Sequence, residues 1–236
     1  MNCFERANLP TITPSERLAI LTFAVIGAGP TGVEFASELL DFLSTDGARY
    51  WPELVKEAKI IIIEASGTVL APFAKELQDA AIEQLTQTTE RTREIGLPPI
   101  QLALGSPVRE VTAMSVRLEN GTDVPYGMAV WAAGNGPLPI TTQIVEALGQ
   151  DGSLTRGRIA VDPFLRAIGA EGVGAEGVYA LGDCAAVVAN DLPATAQVAA
   201  QQGEYLARNM EEGEAAPQFQ FLNLGILACK LCQRRS

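Results

Sequence analysis

An α/β fold is predicted from three features of the 236-residue chain. A short apolar run, Leu21-Thr22-Phe23-Ala24-Val25-Ile26, stops at a glycine, and Gly27-Ala28-Gly29-Pro30-Thr31-Gly32 follows it directly. A second run, Lys59-Ile60-Ile61-Ile62-Ile63, closes on Glu64. Strand, glycine loop, helix and a strand ending in an acid specify a three-layer, dinucleotide-binding (Rossmann-like) domain.

Uninterrupted β-branched and aromatic residues mark strands buried on both faces, as parallel strands are. From Val33 to Leu43, the residues Ala36, Leu39, Leu40 and Leu43 recur at helical spacing. Asp46 to Pro52 is expected as a loop before the second strand. Lys75 to Arg93 reads as one polar-rich helix with Leu77, Ala81, Ile82 and Leu85 as its apolar residues. Between Ile100 and Gly134 the rhythm shortens. Val116-Arg117-Leu118 and Val124-Pro125-Tyr126 flank Asn120-Gly121, a hairpin turn signal, and Val130-Trp131-Ala132-Ala133-Gly134 closes the region as a strand. Asn120-Gly121-Thr122 also matches a glycosylation pattern, but the turn is the favoured reading. Gly134 to Pro139 reads as a crossover, and Arg158 to Val161 and Gly177 to Leu181 as strands. Pro193 to Met210 reads as a helix, Glu211 to Pro217 as an acidic linker, and the remainder offers no clear element.

Composition narrows the chemistry. Apolar residues make up 47 % and charged ones 19 %, enough for a packed core and far from a disordered profile. Seventeen Lys and Arg stand against 28 Asp and Glu, a net charge of −11 that repels phosphate backbones, so no nucleic acid is expected. Histidine is absent, which excludes histidine triads, imidazole metal ligands and histidine proton shuttles. Four cysteines in a chain this long do not make a disulfide scaffold and point to a reducing compartment. No stretch approaches the roughly 20 apolar residues that span a bilayer. The first fourteen residues read as neither a secretion signal nor a transit peptide, so no targeting segment is expected.

The glycine loop carries the most information. Gly27 permits a tight turn, Gly29 lets backbone approach a pyrophosphate, and Gly32 lets the helix pack close to the strand. Pro30 and Thr31 open a helix whose N–H groups face that anion. Glu64 stands where such folds place the acceptor for a ribose 2′-hydroxyl, although the spacing exceeds the usual ~20 residues. A carboxylate there also repels a 2′-phosphate and favours NADH over NADPH. A generic strand-end charge is the competing reading. Glu34 shares a solvated helix face with Glu38 and Asp41, and spacing alone gives it no catalytic role. Gly182-Asp183 fits either a turn or an acceptor for ribose or ribityl hydroxyls, with Cys184 beside it read as a small buried residue. Cys229-x-x-Cys232 has no second pair and no histidine beside it, so neither a metal nor a redox centre is expected.

Together these segments resemble the type II (alternative, non-proton-pumping) NADH:quinone oxidoreductases, within the two-dinucleotide-domain flavoproteins. The likeness rests on Cys3-Phe4-Glu5-Arg6-Ala7, Gly27 to Ala36, Ile63-Glu64-Ala65, Val130 to Gly134, Tyr179 to Cys184, Pro193 to Gly203 and Phe221-x-Asn223-x-Gly225. It implies NAD(H) held by the glycine loop and Glu64, with Ala133 and Gly134 at the same site. It implies FAD held by Gly182 and Asp183, and a quinone acceptor near Ala196 and Gln197. Glu34 would lie near the nicotinamide–flavin contact; Glu34 and Gln197 are the catalytic candidates. The likeness also implies peripheral attachment to the mitochondrial inner membrane, or to the cytoplasmic membrane face in a bacterium, and considers a homodimer. The family has a second, flavin-binding glycine loop upstream, and this chain has one loop only. The expected organisation is therefore residues 20–136 as the NADH domain, with 1–19 and 137–215 as parts of an FAD domain and 216–236 as a loosely ordered tail. The expected activity is hydride transfer from NADH to flavin and two electrons onward to quinone. The competing readings are a non-catalytic NAD(H)-binding fragment and a reductase with a disulfide or ferredoxin acceptor.

Overall fold

The computed structural model describes residues 2–223, except 135, 170, 171, 173, 189, 191 and 211–215. Cys229, Cys232, Gly225 and most of the acidic linker and tail lie outside the described residues. The chain divides into two compact units, Met1–Gly134 and Asn135–Ile226.

The first unit is built on a parallel sheet of β1 (Thr22–Ile26), β2 (Lys59–Ile63), β3 (Gln101–Ala103) and β7 (Met128–Trp131) in the order β3-β2-β1-β7. All three pairings are parallel. The period of two along each strand sorts its residues between two layers. Phe23, Val25, Ile60 and Ile62 enter one core, shared with the helices, while Ala24, Ile26, Ile61 and Ile63 enter another. That second core is completed by Val116 and Leu118 from an antiparallel sheet of β4 (Val108–Val111), β5 (Ser115–Leu118) and β6 (Asp123–Pro125). Burial on both faces explains why β1 and β2 are continuously apolar. Truncating the fully buried Ile62 to alanine would cost about 2–5 kcal/mol.

Helices α1 (Asn2–Ala7), α2 (Pro14–Ile20), α3 (Pro30–Phe42), α4 (Lys75–Thr86) and α5 (Glu90–Ile95) belong to the same unit. Phe4 and Ala7 of α1 are buried in the helix-side core, and Phe4 stacks on Trp51 with ring centroids 5.1 Å apart. Thus residues 2–20 pack with the glycine loop's own unit. A capping box starts α2: the Glu16 N–H donates to Thr13 Oγ1 while the Thr13 N–H donates to Glu16 Oε2.

Two local readings differ from the structure. The expected loop after α3 is helical instead: a π-turn at Leu43–Gly47 is followed by short helical turns at Ala48–Tyr50 and Pro52–Val55. Ser44 and Thr45 hydroxyls donate to the Asp41 carbonyl at 2.9 and 2.8 Å, so side chains occupy an acceptor where the helix widens. The single helix expected over 75–93 is two. Thr89 interrupts it by accepting the Thr92 N–H, capping α5, and Gly96 ends α5 in the left-handed region at φ 73°.

The second unit contains α6 (Pro139–Ala147), a sheet of β8 (Ile159–Val161), β9 (Arg166–Ile168), β10 (Gly174–Tyr179) and β11 (Ala185–Val187) in the order β10-β9-β8-β11, and α7 (Ala196–Asn209). Its core gathers Val145, Ile159, Val161, Leu165, Ala167, Val187 and Leu206. Gln150 stitches two strands: its Nε2 donates to the Ala160 and Ile168 carbonyls at 3.0 and 2.7 Å, and its Oε1 accepts the Ala160 N–H at 2.8 Å. Asp162 Oδ1 accepts the N–H groups of Phe164 and Arg166, and its Oδ2 pairs with the Arg166 guanidinium at 2.7 Å. These bonds hold a tight turn in which buried Leu165 takes φ 64°. Here α6 and the three-residue strands β9 and β11 go beyond the expected elements, being too short for period to reveal.

Candidate functional site

In the first unit, strand order reverses at β1: the chain adds β2 and β3 on one side, then returns to add β7 on the other. The carboxyl ends of β1 and β7 form the switch point where open α/β sheets take ligands. Both the glycine loop and the segment Ala132-Ala133-Gly134 emerge there.

The three loop glycines serve different purposes. Gly27 adopts φ 105°, and a Cβ on it would lie 2.7 Å from the Ala132 carbonyl group. On Gly32, a Cβ would lie 1.9 Å from the Gly27 carbonyl oxygen. Those two positions are demanded by the protein's own packing. Gly29 is not: its φ is −71°, which any residue adopts, and a Cβ there meets nothing within 4 Å. Gly29 is also the N-cap of α3, with Pro30 at the first helical position. The opening turn of α3 presents N–H groups that have no intrahelical acceptor.

Glu64 is half-buried, just beyond β2, and is tied to the loop. The Ala28 N–H donates to Glu64 Oε2 at 2.7 Å and the Ser66 N–H to Oε1 at 2.8 Å. The Ala28 carbonyl in turn accepts the Leu70 N–H at 2.8 Å, so the peptide between the first two loop glycines is held from both sides. Gly27 is anchored by donating to the Ile63 carbonyl at 2.8 Å. Burial alone would raise the Glu64 pKa, but the hydrogen bonds led by Ala28 and Ser66 outweigh it and hold the carboxyl below the ordinary glutamate value.

Gly27, Gly29, Pro30, Thr31, Gly32, Glu64, Ala133 and Gly134 therefore share one end of the parallel sheet. Glu34 is exposed on α3, as are Glu38 and Asp41, and Asp41 pairs with Arg91 at 3.7 Å.

The second unit carries the other candidates. Gly182, at φ 71°, begins a single 3₁₀ turn, Gly182–Cys184, that leaves Asp183 exposed. Cys184 is exposed too, contrary to the buried role expected of it, because the turn directs it outward while its Sγ stays 3.3 Å from the Leu181 carbonyl. Thr195 caps α7 by accepting the Val198 N–H, which places Ala196, exposed, and Gln197, half-buried, in the first turn. The residue unassigned by sequence reasoning is Gln202. It is 2 % exposed, and its Oε1 accepts the Gly182 N–H at 2.7 Å. Its signal in the sequence was a glutamine inside the apolar i, i+4, i+8 stripe Val198, Gln202, Leu206.

Among the described residues no acidic or cysteine cluster could hold a metal ion, and no helix is long and apolar enough to cross a membrane.

Comparison with known proteins gives a consistent picture. The family model for pyridine nucleotide-disulphide oxidoreductases matches residues 2–203. The chain is 38 % identical over 234 residues to a probable NADH dehydrogenase of Dictyostelium discoideum, covering 97 % of this chain and 48 % of that protein. It is 37 % identical over 216 residues to the mitochondrial external NADH-ubiquinone oxidoreductase 2 of Saccharomyces cerevisiae, covering 90 % and 36 %. Among solved structures, NDH2 from Plasmodium falciparum in complex with NADH aligns with a TM-score of 0.64 at 24 % identity, over 78 % of this chain and 36 % of that one. That last likeness concerns the fold. The chain spans about half or less of the length of the curated relatives it matches.

Proposed function

The chain belongs to the pyridine nucleotide-disulphide oxidoreductase family, and from that premise we propose that it forms the NADH-binding part of an FAD-dependent, non-proton-pumping NADH:quinone oxidoreductase. The observation that carries the reading is Gly29. Its backbone needs no glycine, no protein atom lies where its Cβ would be, and it sits at the N-terminus of α3. A glycine of that kind is explained by a ligand that must approach the main chain, and a diphosphate at a helix N-terminus is such a ligand.

Glu64 fits the adjoining ribose. Each of its oxygens accepts one peptide N–H and keeps a further lone pair for a sugar hydroxyl, while its charge opposes a 2′-phosphate. The residues thus fit NADH better than NADPH. Ala133 and Gly134 border the same ligand, and Glu34 is assigned to the nicotinamide end. In the second unit, exposed Asp183 is suited to accept hydrogen bonds from flavin hydroxyls, and Ala196 with Gln197 to border flavin and quinone. FAD, if bound, would supply the redox chemistry between NADH and the quinone. The protein's contribution is to hold and align the partners.

The relatives named as mitochondrial NADH-ubiquinone oxidoreductases support quinone as acceptor and the mitochondrion as location. Peripheral attachment to the inner membrane and homodimerisation belong to the same proposal.

The test is NADH oxidation by the purified chain with added FAD and ubiquinone analogue, beside a direct NADH titration. Saturable NADH binding is the expected result, and quinone-dependent turnover would extend the proposal from binding to catalysis by this chain. Binding without turnover would assign the chain the nucleotide-binding role alone, turnover with a protein disulfide or ferredoxin but not with quinone would reassign the acceptor, and no saturable NADH binding would overturn the reading.

A further inference from the structure

The polar side chain most at odds with its surroundings is Gln202. It lies in the buried stripe of α7 between Val198 and Leu206, where packing alone would favour an aliphatic residue, and is 2 % exposed. Burying an amide in such a place is unfavourable unless its polar atoms are engaged. One is: Oε1 accepts the Gly182 N–H at 2.7 Å. The other, Nε2, donates to none of the described residues. Ala199, three residues earlier on α7, touches the same place, since a Cβ on Gly182 would come 3.5 Å from the Ala199 Cβ.

The bond matters because Gly182 is held at φ 71° and starts a single 3₁₀ turn. One such turn has little regular hydrogen bonding to maintain it, and left-handed backbone is easily lost to neighbouring conformations. Gln202 fixes the N–H of its first residue from a helix fourteen residues long, so the turn takes its position from α7. What the turn presents to solvent is Asp183. From this geometry we propose that Gln202 is a positioning residue: it locks the Gly182–Asp183 turn in register with the start of α7, and thereby pre-sets the Asp183 carboxylate for a hydroxylated cofactor. The identity of that cofactor as FAD rests on the function proposed above; the locking of the turn does not.

Two substitutions in the full chain test this. Gln202→Met keeps length and removes the acceptor, whereas Gln202→Glu keeps an acceptor. In the unmodified chain the Gly182 amide must exchange slowly with solvent deuterium; exchange at the rate of an unstructured peptide would overturn the proposal without any variant. Gln202→Met should speed that exchange, with α7 still helical by circular dichroism, and weaken FAD by about tenfold, the scale of one lost hydrogen bond. Gln202→Glu should recover most of both. NADH affinity, set in the other unit, should not move. Unchanged Gly182 exchange and FAD affinity in Gln202→Met would overturn the proposal. If the unmodified chain takes up no FAD, the flavin reading fails, and the exchange rates alone then decide whether Gln202 holds the turn.

Discussion

The Glu64 carboxylate accepts the Ala28 peptide N–H at 2.7 Å, joining the end of β2 to the middle of the glycine loop that follows β1. With the Ser66 N–H on its other oxygen, Glu64 is a structural tie and, in the function proposed above, the group that would meet a ribose. Replacing it with glutamine sets an amide NH₂ against one of those two N–H donors. Glu64→Gln should therefore raise the Kd for NADH by about tenfold, from one hydrogen bond lost and one strained, and should narrow the preference over NADPH. Paired titrations with the two nucleotides measure this. An unchanged preference would remove Glu64 from the site.

The same carboxylate predicts a pH dependence. Its pKa is lower folded than unfolded, because the Ala28 and Ser66 bonds outweigh the effect of burial. On acidification the unfolded chain takes up this proton first. The stabilisation is therefore complete above the unfolded glutamate pKa and is lost as pH falls through the depressed folded value. Glu16 and Asp151 shift in the same direction, each through local bonds, to Thr13 and to Ser153. The difference between the unmodified chain and Glu64→Gln isolates the Glu64 share. Their melting temperatures should converge as pH is lowered across that window, and a constant gap would contradict the assignment.

The loop glycines separate folding from binding. A Cβ at Gly32 would lie 1.9 Å from the Gly27 carbonyl oxygen, so Gly32→Ala should destabilise the first unit by about 1–3 kcal/mol in denaturant unfolding. A Cβ added at Gly29 meets no protein atom within 4 Å, and a φ of −71° suits an ordinary side chain, so Gly29→Val is the contrasting substitution. It should leave the unfolding midpoint nearly unchanged and abolish NADH binding. Retained affinity would mean that the loop is only a turn.

How much of this was legible beforehand follows from range. Gly27, Gly29 and Gly32 announced themselves because their roles are local and tied to the strand before and the helix after. The continuous apolar runs of β1 and β2 were readable because burial on both faces leaves no polar position. The tie from Glu64 to Ala28 spans 36 residues and has no local signature, although the acid at the strand end pointed to its place. Gln202 has no role that its neighbours in sequence reveal, since its partner Gly182 lies twenty residues away on another element. The exposure of Cys184 is not legible in the sequence, because a cysteine's burial there depends on which way one turn faces. Strands of three residues, such as Arg166–Ile168, are too short for any period and are defined by their neighbours alone.

In the second unit, Asp162 gathers the Phe164 and Arg166 N–H groups and the Arg166 guanidinium around buried Leu165. Asp162→Ala should lower the stability of that unit by about 2–4 kcal/mol, the range for removing one partner of a largely buried charged network. Hydrogen exchange at Ile159–Val161 and Arg166–Ile168 should accelerate while NADH affinity stays constant. Equal acceleration in β1 and β2 would contradict the division into two units.

Gln197→Met tests the assignment of Gln197 beside the quinone. Turnover with quinone should fall severalfold with NADH affinity unchanged. A fall in NADH affinity instead would place Gln197 elsewhere in the reaction.

The most direct measurement is a titration of the full chain with NADH, followed by backbone amide NMR. The account predicts saturable shifts concentrated at Ala28, Gly29, Thr31, Gly32, Glu64 and Ser66. Saturable shifts clustered elsewhere, with those six amides unmoved, would contradict it.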